Sequence, residues 1–68
     1  DHMWTVIYIA PTKNIAERYQ QALAEEGILA QLRAVGSSHQ PHSISTEILV
    51  PESEAEDAHE ILTNIIGS

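Results

Sequence analysis

The chain contains no cysteine and no phenylalanine, and after Arg33 it has no lysine or arginine at all. Each absence excludes something. Without cysteine there can be no disulfide and no thiolate metal site. A chain of 68 residues buries only about 60% of the surface its unfolded form exposes. Small domains commonly compensate with disulfides, metals or association, and here the first of these is closed. A cysteine-free chain fits a reducing compartment, so the expected location is cytoplasmic. No run approaches the ~18 consecutive apolar residues of a membrane span, and no signal-peptide pattern precedes the first strand. No membrane partner is expected.

The shortage of bases is the sharper constraint. Three bases stand against ten acids, for a formal charge of −7. Lys13, Arg18 and Arg33 all lie in the first half, whereas Glu47, Glu52, Glu54, Glu56, Asp57 and Glu60 crowd the second. Nucleic-acid binding needs a basic stripe that neutralises phosphates. This acidic chain carries the opposite, and an anionic membrane surface is disfavoured for the same reason. Asp1-His2 reads as a cloning remnant ahead of Met3. The expected single domain is then 3–68, with a charge of −6 once Asp1 is set aside.

What is present is a clear sequence of elements. Trp4-Thr-Val-Ile-Tyr-Ile9 is rich in β-branched and aromatic residues and stops at Ala10-Pro11, which predicts a first strand. Its apolar residues occupy both alternating sets. Thr12 is suited to cap a following helix, its hydroxyl accepting from a first-turn amide. Ile15, Tyr19, Ala22 and Leu23 form the apolar stripe of that helix, flanked by Ala16, with Glu26 at the same spacing. Gly27 suits the left-handed position after its last turn. Ile28–Val35 alternates and predicts a second strand. Gly36–Ser43 is a polar loop, and Ile44–Val50 a third strand. Pro51 ends it and opens a second helix. There Ala55, Ala58, Leu62 and Ile65 make the buried stripe, with Ile61 and Ile66 beside it, and Gly67 closes it. The acids of its first turns suit the positive end of the helix dipole.

The order strand–helix–strand–strand–helix predicts an α+β domain. The first crossover prefers a right hand, and the short loop pairs strands two and three antiparallel. Strand three inserted between the others gives a three-stranded sheet of order 1-3-2, the split βαβ arrangement of ferredoxin-like sandwiches, with both helices on one face. Pairing Leu32 with Ile48 places Ala30, Leu32, Ala34, Thr46, Ile48 and Val50 under the helices. It also sets Arg33 opposite Glu47 on the other face, an opposite-charge pair worth roughly 0.2–1 kcal/mol. A one-residue slip would bury both charges, so the register is well specified.

The open face therefore carries Leu29, Gln31, Arg33, Val35, Ser45, Glu47 and Leu49. From strand one it gains either Thr5, Ile7 and Ile9, the favoured set, or Trp4, Val6 and Tyr8. Large apolar groups on an uncovered face mark an interaction surface. Leu29, Arg33, Val35, Glu47 and Leu49 are the candidate contact residues, and a homodimer packed sheet to sheet or edge to edge is expected.

Val6-Ile-Tyr-Ile-Ala-Pro11, Ala16-Glu17, Glu25-Glu26-Gly27-Ile28, Glu47-Ile-Leu-Val-Pro-Glu52 and Ala55-Glu56-Asp57-Ala58, in this order and spacing, resemble a family of short bacterial proteins. They are described as prokaryotic signal-transducing proteins, a domain of unknown function. The resemblance spans nearly the whole chain from Met3. It implies a ferredoxin-like fold related to the PII signalling proteins and a regulatory, non-catalytic role, and it carries over no catalytic residues. Larger PII proteins have a long nucleotide-contacting loop and basic phosphate ligands. This chain has a short Gly36–Ser43 loop and three bases.

The remaining polar constellations are weak. His39 and His42 could share a metal, but a structural zinc site needs four ligands and no Cys/His framework accompanies them. His59 borders an apolar stripe and reads as a boundary residue. The acids of 52–60 fan out on a helix instead of converging in a calcium loop. No serine sits in a Gly-x-Ser-x-Gly turn, no glycine-rich phosphate loop is present, and Lys13 lacks burial to activate it. The expectation is therefore no enzyme, no catalytic residue, no cofactor and no metal. The leading reading is a regulatory binding module that works through self-association or a protein partner. The alternative is a small-metabolite or nucleotide sensor of PII-like type, with its ligand near the 36–43 loop.

Overall fold

The computed structural model describes residues 3–35 and 45–67. They form β1 (Trp4–Ala10), α1 (Lys13–Glu25), β2 (Gln31–Val35), β3 (Ser45–Pro51) and α2 (Ala55–Ile66), with a single 3-10 turn at Glu52–Glu54 leading into α2. Pro51 is thus the last strand residue, and the helix proper starts four residues later than the proline suggests. The sheet order is β1-β3-β2, with β3 antiparallel to both neighbours. The expected α+β fold, ferredoxin-like in its strand order, is the one formed.

The termini of α1 follow from local chemistry. Thr12 is extended, and its Oγ1 accepts from the Ile15 amide at 3.2 Å, satisfying a first-turn donor. At the other end Gly27 takes φ +86°. The Ile28 amide donates to Leu23 O and the Gly27 amide to Ala24 O, both at 2.9 Å. This is the Schellman arrangement, in which a left-handed residue turns the last carbonyls back onto the chain. Its usual apolar contact is provided for as well, since Leu23 and Ile28 are both buried.

The β2–β3 register is the one the pattern requires: Leu32 opposite Ile48, Arg33 opposite Glu47, Ala34 opposite Thr46. Ile48, Val50 and Thr46 are buried beneath the helices together with Ala16, Leu23, Ala58 and Leu62. Leu32 is half-buried, and Ala34, near the end of an edge strand, stays exposed. Tyr8 and Tyr19 meet edge to face at 5.6 Å between ring centroids, which locks α1 onto β1. Gln20 Nε2 donates to Ala30 O at 2.9 Å and ties α1 to the entry of β2.

Two features depart from the sequence reading. Ile65, expected in the buried stripe of α2, is 39% exposed. It lines a cleft of about 420 Å³ between the helices with Ile15, Arg18, Tyr19 and Ala22. In addition, β1 is not a regular strand. Its pairing with β3 runs Val6 opposite Leu49 and then Tyr8 opposite Ile48, so Ile7 is an extra residue. Such a bulge places two residues against one. Neither expected set faces outward: Trp4, Val6 and Ile9 do, while Thr5, Ile7, Tyr8 and Ala10 turn toward the helices.

Candidate functional site

Two helices cover one face of the sheet, and the other face presents its side chains in rows set by the register. One row runs Ile9–Glu47–Arg33 and the next Val6–Leu49–Gln31. Val35 stands opposite Ser45, and Trp4 opposite Pro51. Leu29 lies just ahead of β2, on the parity that continues this face, and is 69% exposed.

The five residues expected at the site therefore share one face, in three different environments. Arg33 and Glu47 are joined. Nε donates to Glu47 Oε1 at 2.7 Å, and Nη2 lies 2.6 Å from the same oxygen. The two ends of this pair differ in exposure. The Arg33 side chain is 62% exposed, whereas that of Glu47, on the central strand between Ile9 and Arg33, is only 16% exposed. Leu49 is on the open face yet just 7% exposed. As a central-strand residue flanked by Val6 and Gln31, it forms the floor of the face and not its rim. Leu29 and Val35 remain exposed, joined by Val6 and Ile9 from β1.

Sequence reasoning missed Trp4, Val6 and Ile9 as one set. No signal could have supplied it. Apolar residues fill both parities of β1, and the bulged residue is an isoleucine, not a glycine that would have marked the irregularity.

The helix side offers a second concavity. A cleft of about 240 Å³ lies between β1 and α2, lined by Ile7, Tyr8, Leu62, Ile66, His59 and Thr63 with Gly67 at its end. His59 thus borders an apolar groove, as its place beside the stripe suggests. The pair His39 and His42 and the Gly36–Ser43 loop lie outside the described residues. Among the described residues no three His, Asp or Glu side chains converge as a metal would require, and no helix is long and apolar enough to cross a membrane.

Comparison with known proteins gives no match to a family model, a curated protein or a solved structure.

Proposed function

We propose that the chain is a small regulatory binding module, of signal-transducing type, that docks a protein partner on the open face of its sheet. The observation behind this reading is that Val6 and Ile9 on one edge strand, and Leu29 and Val35 at the two ends of the other, stay exposed on the uncovered face around the Arg33–Glu47 pair. Apolar side chains left exposed on a sheet face without a covering layer are typical of contact surfaces. The pair supports it further. Glu47 is tied down and mostly covered, so its charge is already satisfied. The outward edge of the Arg33 guanidinium keeps donors free for a partner's acceptor, since a guanidinium carries five N–H groups. The surface that fits is apolar where it meets Val6 and Ile9, with a carboxylate or carbonyl placed over Arg33.

The test is capture by immobilised domain from the native cell, followed by purification of the captured protein and direct titration. Ile9→Lys, Val35→Glu and Arg33→Glu, each at an exposed position, should reduce affinity for that protein by roughly tenfold or more. Gln21→Glu, on the outer surface of α1, should leave it unchanged. Affinity indifferent to all three open-face substitutions would rule the proposal out.

A further inference from the structure

We infer that the cleft between α1 and α2 is a binding site for a small monocarboxylic acid with an apolar body, its carboxylate held by Arg18. The site lies on the helix side of the sheet and does not depend on the reading proposed for the open face.

The cleft measures about 420 Å³ and is lined by Ile15, Arg18, Tyr19 and Ala22 of α1 and by Ile65 of α2. This falls within the roughly 300–1,000 Å³ of small-molecule sites, so it suits one such molecule and not a folded partner. The space exists because the facing side chains do not fill it. Ala22 is small and half-buried, and Ile65 on the other wall is 39% exposed.

Charge selects the occupant. The chain has three bases. Lys13 lies 4.0 Å from Glu17, and Arg33 is bound to Glu47. Among the described residues Arg18 has no such carboxylate. Residues three and four apart are side-chain neighbours on a helix. For Arg18 these are Asn14, Ile15, Gln21 and Ala22, and one turn before Ile65 stand Ile61 and Leu62. The chain has ten acids, yet among the described residues none lines the cleft. An uncompensated cation therefore borders apolar walls in a protein that is otherwise negative.

A guanidinium grips a carboxylate through two parallel N–H···O bonds, while an apolar body displaces water from Ile15, Ala22 and Ile65. A neutral apolar molecule would cover Arg18 without giving it an acceptor, and that desolvation opposes binding. A phosphate monoester would bring a second negative charge to a cleft that holds one base. A monocarboxylate matches the single charge.

The experiment is an NMR titration of the isotope-labelled chain at neutral pH with phenylacetate, phenylacetamide and phenyl phosphate. Phenylacetate should move the amide signals of Ile15, Arg18, Tyr19, Ala22 and Ile65 together. It should bind roughly tenfold or more tighter than the amide, and tighter than the phosphate. Arg18→Gln, at an exposed position, should weaken phenylacetate by roughly tenfold or more and remove its advantage over the amide. Lys13→Gln removes the same charge outside the cleft and should leave the affinity unchanged. Ile65→Glu sets an acid on the opposite wall and should weaken phenylacetate at least as much as Arg18→Gln, with thermal unfolding showing that each variant is folded. The inference is overturned if no signal moves at about 10 mM phenylacetate, or if the shifts fall on the β1–α2 cleft or the open face instead. Equal affinity for acid and amide, tighter binding of the phosphate, or an unchanged affinity in Arg18→Gln would overturn it as well.

Discussion

Arg33 donates its Nε–H to one oxygen of Glu47 across the β2–β3 ladder at 2.7 Å, and its Nη2 lies 2.6 Å from the same oxygen. The arginine can reach water, and the carboxylate largely cannot. Removing each partner should therefore have unequal effects. Arg33→Ala leaves a mostly covered charge without its donor and should cost about 1 kcal/mol, whereas Glu47→Gln keeps an acceptor beside an arginine that water can solvate and should cost less. Arg33→Glu should be worst, since like charges directly opposite on a sheet repel. Urea unfolding of the three variants tests this order. Equal losses for Arg33→Ala and Glu47→Gln would mean that the exposure difference has no energetic effect.

Gly27 supplies a backbone prediction free of packing. An added Cβ at this position would meet nothing within 4 Å, so the only obstacle to a side chain is the φ of +86°. Gly27→Ala should cost about 1–2 kcal/mol from the left-handed conformation alone, a fall in Tm of roughly 4–8 °C per kcal/mol for a domain this size. Gly27→Asn should lose less, because asparagine tolerates this region better. A Gly27→Ala protein as stable as wild type would show that the turn relaxes away from this geometry.

The bulge makes an unusual deletion tolerable. Removing one residue from a strand normally turns every side chain beyond it to the wrong face. In β1, Val6 already pairs with Leu49 and Tyr8 with Ile48, so deletion of Ile7 joins two residues that are already in regular alternation. The register and both faces are kept. The cost should be the lost packing of one half-buried isoleucine, about 1–2 kcal/mol. Deletion of Leu49 on β3 would instead break the pairing with β2 and should abolish cooperative unfolding. Circular dichroism melts and NMR dispersion of the two deletions discriminate. If the Ile7 deletion is as disruptive as the Leu49 deletion, the bulge is not a separable insertion.

The same bulge shows where the sequence stops being readable. The element order, the strand order and the β2–β3 register are legible because each rests on a feature with one physical solution. Thr12 and Gly27 bracket a helix, and Arg33 and Glu47 stand directly opposite each other in only one register. The part of the site built on that register, namely Leu29, Arg33, Val35, Glu47 and Leu49, is legible with it. In β1 both parities are apolar, so alternation carries no information, and the face of Trp4, Val6 and Ile9 is decided by one inserted residue with no local signature. The exposure of Ile65 is hidden for a related reason. Helical spacing places it on the inner stripe, but whether the space between two helices is filled depends on packing that spacing does not encode.

The pairing of Tyr8 with Tyr19 should be measurable apart from burial. The rings meet edge to face at 5.6 Å, a geometry worth about 0.5–1.5 kcal/mol beyond the area covered. Tyr8→Leu and Tyr19→Leu, with the double variant, form the cycle. A coupling near 1 kcal/mol is expected, and additive losses would show that the contact is generic apolar packing.

The last turn of α2 has no base, while its first turns carry Glu56 and Asp57 and its middle Glu60. The C-terminal end of the helix, where a positive charge is most favourable, is thus empty of charge in a chain of −7. Asn64 is exposed and stands four residues after Glu60. Lysine there follows a glutamate at the spacing and in the order that favour an ion pair, worth about 0.2–0.5 kcal/mol. The helix dipole adds about 0.3–1 kcal/mol at low ionic strength. Asn64→Lys should therefore stabilise the domain by about 0.5–1 kcal/mol in thermal or urea unfolding at low salt, with most of the gain lost in high salt. Asn64→Glu should destabilise it, because it adds a fourth acid to the helix at the end where negative charge is least tolerated. Both shifts have an electrostatic origin only if they shrink together as salt is added. A gain from Asn64→Lys that persists in high salt would instead assign the effect to helix propensity, in which lysine exceeds asparagine.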